Sequence, residues 1–208
     1  MDKKLIIFTG PSGVGKGTVE KILFNQKDLK LKLSVSMTTR QPREGEVDGI
    51  HYYFVSKETF NACLTDNRLI EYSMHFDNYY GTLYSEIDRI CEQGKIPFLE
   101  IETNGAKQIL DYYKKMGRQN EVCSIFLMPP SFTELEKRIE GRNTETEDLI
   151  AKRLSKAQEE IAFSTLFQHV VINDDVEEAA AKIREIILKE FKKVIEGKKE
   201  NQTEGRKA

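Results

Sequence analysis

Nine consecutive residues near the start of this 208-residue chain, Gly10-Pro11-Ser12-Gly13-Val14-Gly15-Lys16-Gly17-Thr18, have the types and spacing to hold an anion. The glycines let the backbone curl until successive N–H groups point inward, and a helix N-terminus behind them adds partial positive charge. Lys16 supplies a full charge suited to the β- and γ-phosphates of a nucleotide. The chemistry is binding of a nucleoside triphosphate, and the loop alone is silent about any second substrate. There is one departure. The residue after the lysine, ordinarily the Ser or Thr that meets Mg²⁺, is Gly17, and the hydroxyl comes one position later on Thr18.

Such a loop works only between a strand and a helix. Leu5-Ile6-Ile7-Phe8 precedes it, a fully apolar run of the kind buried in a parallel sheet, and Val19, Ile22 and Leu23 follow at helical spacing. The alternation continues along the chain. Ile96–Leu99 and Val122–Leu127 read as buried strands, with a helix from Ala106 to Tyr113 between them, and Val170–Ile172 reads as a last short strand. Ser131 and Glu134 match a capping box. Ile150, Leu154, Ala157 and Ile161 form one helix face, and Val176, Ala179, Ala180, Ile183, Ile187 and Phe191 form another. Strands and helices in this order give an α/β domain with a parallel sheet.

Two stretches break the rhythm. Residues 35–83, rich in Tyr, Thr, Arg and Gly, hold strand-like pieces (His51–Val55, Leu69–Ser73, Tyr79–Leu83) around a helix near 57–66, as expected of an inserted α+β subdomain. Residues 141–148 are polar and charged between two helices, which suits a mobile lid. The core then covers 1–34 and 84–191, and residues 192–208 are expected to be a disordered tail.

Composition narrows the class. With 32 basic against 34 acidic side chains, the chain lacks the basic excess of a nucleic-acid or membrane binder, so any basic cluster serves a small anion. No apolar run approaches a membrane span, and the four-residue run at Leu5 is too short for a signal peptide. The three cysteines, odd in number and without a CxxC pair, read as reduced thiols of a cytoplasmic protein.

The inserted segment carries a more specific pattern. Ser36-Met-Thr-Thr-Arg40-Gln-Pro-Arg43-Glu-Gly-Glu46-Val-Asp-Gly-Ile-His-Tyr52-Tyr-Phe resembles the monophosphate-binding signature of guanylate kinases. The resemblance continues through Glu71-Tyr72, Asn78-Tyr79-Tyr80-Gly81-Thr82, Phe98-Leu-Glu100-Ile-Glu102, the 140–147 segment with Arg142, Lys152-Arg153-Leu154 and Val171-Ile-Asn173-Asp174. These blocks occur in order over residues 5–191. The resemblance implies a P-loop NTPase-type three-layer core with a central parallel sheet, a small inserted GMP-binding subdomain and a mobile lid. It implies transfer of the γ-phosphoryl group of ATP to GMP, with Mg²⁺ carried as MgATP, in a monomer or homodimer.

The residue chemistry agrees. Arg40 and Arg43 can fork onto the oxygens of a dianionic phosphate, and the hydroxyls of Tyr52 and Tyr80 can add neutral donors. Guanine presents donors at N1 and its 2-amino group, so one carboxylate can accept from both, whereas adenine's bare N1 would be repelled. Glu71 therefore reads as the guanine discriminator, with Ser36 and Thr82 beside it by the resemblance. The same resemblance adds Glu46 to the GMP site and puts Glu102 at the base and Glu100 near the phosphates. Glu100 and Thr18 become the candidate Mg²⁺ ligands. Lys16, Arg40, Arg142 and Arg153 are the expected catalytic cations, with Arg138, Asn173 and Asp174 on the ATP side. Asp77 stands where relatives commonly have Gly. Two alternatives remain open: a kinase for another monophosphate, and a catalytically inactive interaction module of the same family.

Overall fold

In this computed structural model, residues 4–75, 77–140 and 147–197 are described. The first strand, β1 (Leu5–Thr9), is buried at every position and leads through the glycine-rich loop into α1 (Lys16–Asn25). Next come β2 (Leu31–Leu33), β3 (Met37–Thr38), β4 (Tyr53–Phe54), α2 (Lys57–Thr65), β5 (Leu69–His75) and β6 (Asn78–Leu83). The chain then returns through α3 (Tyr84–Glu92), β7 (Ile96–Glu100), α4 (Thr103–Lys115), β8 (Val122–Met128), α5 (Phe132–Glu140) and α6 (Glu147–Ala162). It ends with β9 (His169–Ile172), α7 (Val176–Glu190) and α8 (Lys192–Glu196).

The main sheet has the order β2-β7-β1-β8-β9, every pair parallel. Strand side chains alternate between its faces with period two. Ile6 and Phe8 join Phe98, Ile125 and Leu127 under α1 and α7, while Leu5 and Ile7 join Leu99, Val122 and Phe126 under α4. Apolar side chains on both faces are what a sheet covered by two helical layers requires. The chain continues outward from β1 to β2 and β7 on one side, then crosses to β8 and β9 on the other. A crevice therefore opens at the carboxyl ends of the strands beside β1, where open α/β sheets take their ligands.

Residues between β2 and α3 form the second unit. Its sheet runs β4-β3-β6-β5, antiparallel except for β3 with β4, over a small core of Met37, Phe60 and Cys63. The chain enters and leaves this unit at adjacent points, and one side chain ties them together. Glu86, 3% exposed in the first turn of α3, accepts from Val35 N–H (3.0 Å), from Arg89 Nε and Nη2 (2.9 and 2.7 Å) and from Tyr53 Oη (3.3 Å).

The sequence expectations are met for the buried strands and the helices they alternate with; β2, β3 and α3 were not anticipated. The expected tail begins too early. Residues 192–196 are α8, because Val194 and Ile195 pack on the main core and Lys30 Nζ donates to Val194 O (2.8 Å). The expected lid overlaps α6, which already includes Glu147; residues 141–146, and Arg142 among them, lie outside the described residues. Removing Glu86 would leave a buried N–H and an arginine without their acceptor. Glu86→Ala should lower stability by about 2–4 kcal/mol, read from urea unfolding; a loss within about 0.5 kcal/mol, the range of ordinary surface changes, would contradict this role.

Candidate active site

The phosphate loop owes its shape to contacts from below. Gly15 has φ +98, a left-handed conformation natural to glycine, and a Cβ there would stand 2.7 Å from Asn173 Nδ2. That amide nitrogen donates to Val14 O (2.7 Å), and Arg138 Nη1 donates to Asn173 O (3.2 Å). Asn173, expected on the adenine side, is thus buried beneath the loop and braces it, while Asp174 is exposed. Pro11, Ser12, Gly13 and Gly17 complete the loop, and Thr18 sits exposed in the first turn of α1. Lys16 Nζ donates to Gly10 O (2.8 Å) at the mouth of the crevice.

A cavity of about 610 Å³ opens over this loop, lined among others by Ser12, Lys16, Tyr52, Glu100, Glu102 and Arg153. Its far wall is α6. Glu160 there takes a hydrogen bond from the backbone of Ser12, and burial pushes its carboxyl up from the ordinary value. Lys156, one turn earlier, reaches Glu160 (3.9 Å) and donates to Glu102 (3.2 Å). Arg153, Lys156 and Glu160 lie three and four positions apart, one stripe beside the apolar face already noted. That spacing was the signal for Lys156 and Glu160, which the sequence analysis did not name. Glu20, four residues after Lys16, was also missed; burial first, and then the neighbouring Glu100 carboxylate, hold its carboxyl well above the usual range.

A second cavity of about 240 Å³ is lined by Ser36, Tyr52, Glu71, Ser73, Tyr80, Glu100, Ile101 and Glu102. Four of these residues, Tyr52, Glu100, Ile101 and Glu102, line the first cavity too, so the two are contiguous across the end of β7. At one end, Glu71 is 5% exposed. Its Oε1 accepts from Thr82 Oγ1 (2.7 Å), which is itself 2.9 Å from Ser36 Oγ. Burial pushes the Glu71 carboxyl up to about 7, with Thr82 pulling against the shift and Glu102 adding to it.

Behind the Tyr52 wall of this cavity lies an arginine cluster. Arg40 Nη1 and Nη2 donate to the two oxygens of Glu46 (2.9 Å each), and Arg43 N–H donates to the same carboxylate (2.7 Å). These bonds, the arginine's first, hold Glu46 down at about 2. Arg40 also stacks near the Tyr52 and Phe54 rings, 5.5 and 5.8 Å from their centroids. Glu46, expected at the GMP site, holds Arg40 with both oxygens, while the Arg43 side chain stays exposed. Of the residues named from sequence, Ser12, Lys16, Ser36, Tyr52, Glu71, Tyr80, Glu100, Glu102 and Arg153 line the joined cavities, whereas Arg43 and Asp174 are exposed outside them.

A phosphate-type loop with its lysine, a buried carboxylate in a contiguous cavity and an arginine stacked on the shared Tyr52 wall are parts that suit a nucleotide phosphotransferase. The guanylate kinase family model matches residues 2–190. The chain belongs to the guanylate kinase family. It is 54% identical over 190 residues to a guanylate kinase of Mycoplasmopsis synoviae, covering 91% of this chain and 96% of that one. A guanylate kinase of Mycoplasmopsis pulmonis is 53% identical over 187 residues, covering 90% and 95%. The crystal structure of guanylate kinase from Anaplasma phagocytophilum superposes with a TM-score of 0.69 at 30% identity, covering 93% of this chain and 89% of that one.

The raised Glu71 carboxyl has a cost to folding. Its folded value of about 7 exceeds the ordinary 4.5, so its own contribution to stability is fullest below pH 4.5 and is lost as pH rises through 7. Glu71→Gln removes that slope. At pH 8 the variant should be more stable than the parent by roughly 2–4 kcal/mol, with the difference gone near pH 4. Parallel stability curves for the two proteins over that range would contradict the assignment.

Proposed function

We propose that the protein is a guanylate kinase, moving the γ-phosphoryl group of ATP onto the phosphate of GMP in the cytoplasm. The observation that carries this reading is the shared wall of the two cavities. A nucleotide whose phosphates lie on the Gly10–Thr18 loop and a monophosphate held by Arg40 and Glu71 meet at Tyr52 and Glu100. The acceptor oxygen is ionised at neutral pH, so no general base is needed. The work is positioning, exclusion of water and positive charge over the transferring group. Lys16 brings that charge from the donor side, Arg40 from the acceptor side and Arg153 from α6; Arg142 is proposed to join them from the segment between α5 and α6.

Among the described residues no group of three His, Cys, Asp or Glu could cage a metal. Gly17 offers no hydroxyl, and nothing lies within 4 Å of where its Cβ would be. This donor set suits a Mg²⁺ that arrives on the nucleotide; Glu100, which lines the cavity, and Thr18, next to Gly17, are the groups that would hold it. Bound there, the ion would neutralise charge on the β- and γ-phosphates. The interaction-module alternative has no observation in its favour, since Lys16 and Arg153 face one cleft.

The test is ADP release from MgATP with GMP, dGMP, AMP, UMP and CMP as acceptors. GMP should be the one ribonucleotide turned over rapidly, with its kcat/KM reduced about 10³-fold by Glu71→Gln. Guanine requires the ionised carboxylate, so KM for GMP should fall as pH rises through about 7, and that dependence should vanish in the variant. Equal use of AMP and GMP, or no turnover by folded protein, would overturn the proposal.

A further inference from the structure

Glu71 is held on one side by Thr82; its other side meets α4, a core helix outside the acceptor unit. A Cβ at Gly105 would overlap Glu71 Oε2 and stand 3.2 Å from the carboxyl carbon and 3.5 Å from Cγ. Gly105 has ordinary helical backbone in the first turn of α4, so its φ does not demand glycine. Glycine is also among the poorest helix formers. The neighbour that does demand it is the carboxylate.

The next turn of the same helix face holds the strand itself. Gln108 Oε1 accepts from Tyr72 N–H (3.1 Å), and Gln108 Nε2 donates to Tyr72 O (2.7 Å). Tyr72 follows Glu71 on β5, the edge of its sheet. The glutamine amide therefore takes the place of a missing neighbouring strand, bonding both outward groups of one residue. Two positions three apart on α4 thus meet the Glu71 carboxylate and the backbone of its neighbour, Tyr72. Glu102, which also lines the cavity, immediately precedes the same helix.

We propose that Gly105 and Gln108 are positioning residues for guanine selection, α4 setting where the Glu71 carboxylate stands relative to Glu102. The proposal rests on Glu71 reading guanine. Gly105 admits Oε2 to the depth at which Thr82 can hold Oε1, and Gln108 stops β5 from sliding along the helix. Neither residue touches substrate.

The experiment is steady-state kinetics of Gly105→Ala, Gln108→Ala, Glu71→Asp and the double variant Glu71→Asp/Gly105→Ala, with GMP and AMP, beside Glu71→Gln. Gly105→Ala should raise KM for GMP about tenfold or more and lower the GMP-over-AMP preference by a similar factor, leaving KM for ATP within about twofold. Aspartate withdraws the carboxylate by one methylene, so Gly105→Ala should do less harm in the Glu71→Asp background than in the parent. Gln108→Ala, which creates no clash, should lower the preference while the protein stays folded. Unchanged GMP preference in both Gly105→Ala and Gln108→Ala, or strictly additive losses in the cycle, would overturn the proposal. If Glu71→Gln also leaves the preference intact, the underlying reading of Glu71 fails as well; if it destroys the preference while the α4 variants do not, the positioning role alone fails.

Discussion

A carboxylate taken out of water must be given back hydrogen bonds, and the acceptor half of this protein is arranged around that need at Glu71. Its side chain is almost wholly buried, with one oxygen on the Thr82 hydroxyl and the other against the α4 backbone at Gly105. Neither contact compensates fully for lost hydration, so the group binds its proton far more readily than a surface glutamate. In the proposed function, a ligand offering two N–H donors would supply what the protein withholds. Selectivity then follows from desolvation: a base lacking those donors would leave a buried charge unsatisfied, a larger penalty than the loss of one good contact.

The remaining architecture brings that carboxylate to the phosphate loop. The parallel sheet puts the loop, Glu100 and Glu102 at the carboxyl ends of neighbouring strands, and Glu86 fixes the two points where the chain passes into the acceptor unit and back. The loop is braced by groups from other elements of the chain. Asn173 holds it from beneath, and Glu160 takes a hydrogen bond from Ser12 beside it. Lys156 spans from Glu160 to Glu102, so α6 is tied at once to the donor loop and to the base end of the acceptor cavity.

Much of this was legible in the sequence, for reasons that differ by element. The β1, β7 and β8 strands are apolar on both faces and bounded by polar residues, a pattern few other structures satisfy. The nine-residue loop declares itself because glycine, lysine and a following helix are each required by the same anion. By contrast, β2 and β3 span three and two residues, too short for any period, and exist because neighbours pair with them. α3 turns inward with little more than Ile87 and Ile90, too few to mark a stripe. Asn173 was read toward adenine because its partner, Val14, lies 159 residues away in sequence. Glu46 was read as a ligand contact because motif spacing does not say that both its oxygens are already committed to Arg40. Asp77, noted as a departure from relatives with Gly, has φ +60, the left-handed region in which aspartate is among the better tolerated side chains.

The claim at the centre of this account is that guanine binds the ionised form of a carboxylate that is largely protonated beforehand. Calorimetric titration with GMP at pH 6.5, in buffers of different ionisation enthalpy, counts the protons that move. The parent should release more than about half a proton per GMP beyond whatever Glu71→Gln releases, since a group titrating near 7 is mostly protonated at that pH. Equal proton release by the two proteins would mean that Glu71 is ionised before the base arrives, and the explanation of guanine selection by a buried, reluctant charge would be wrong.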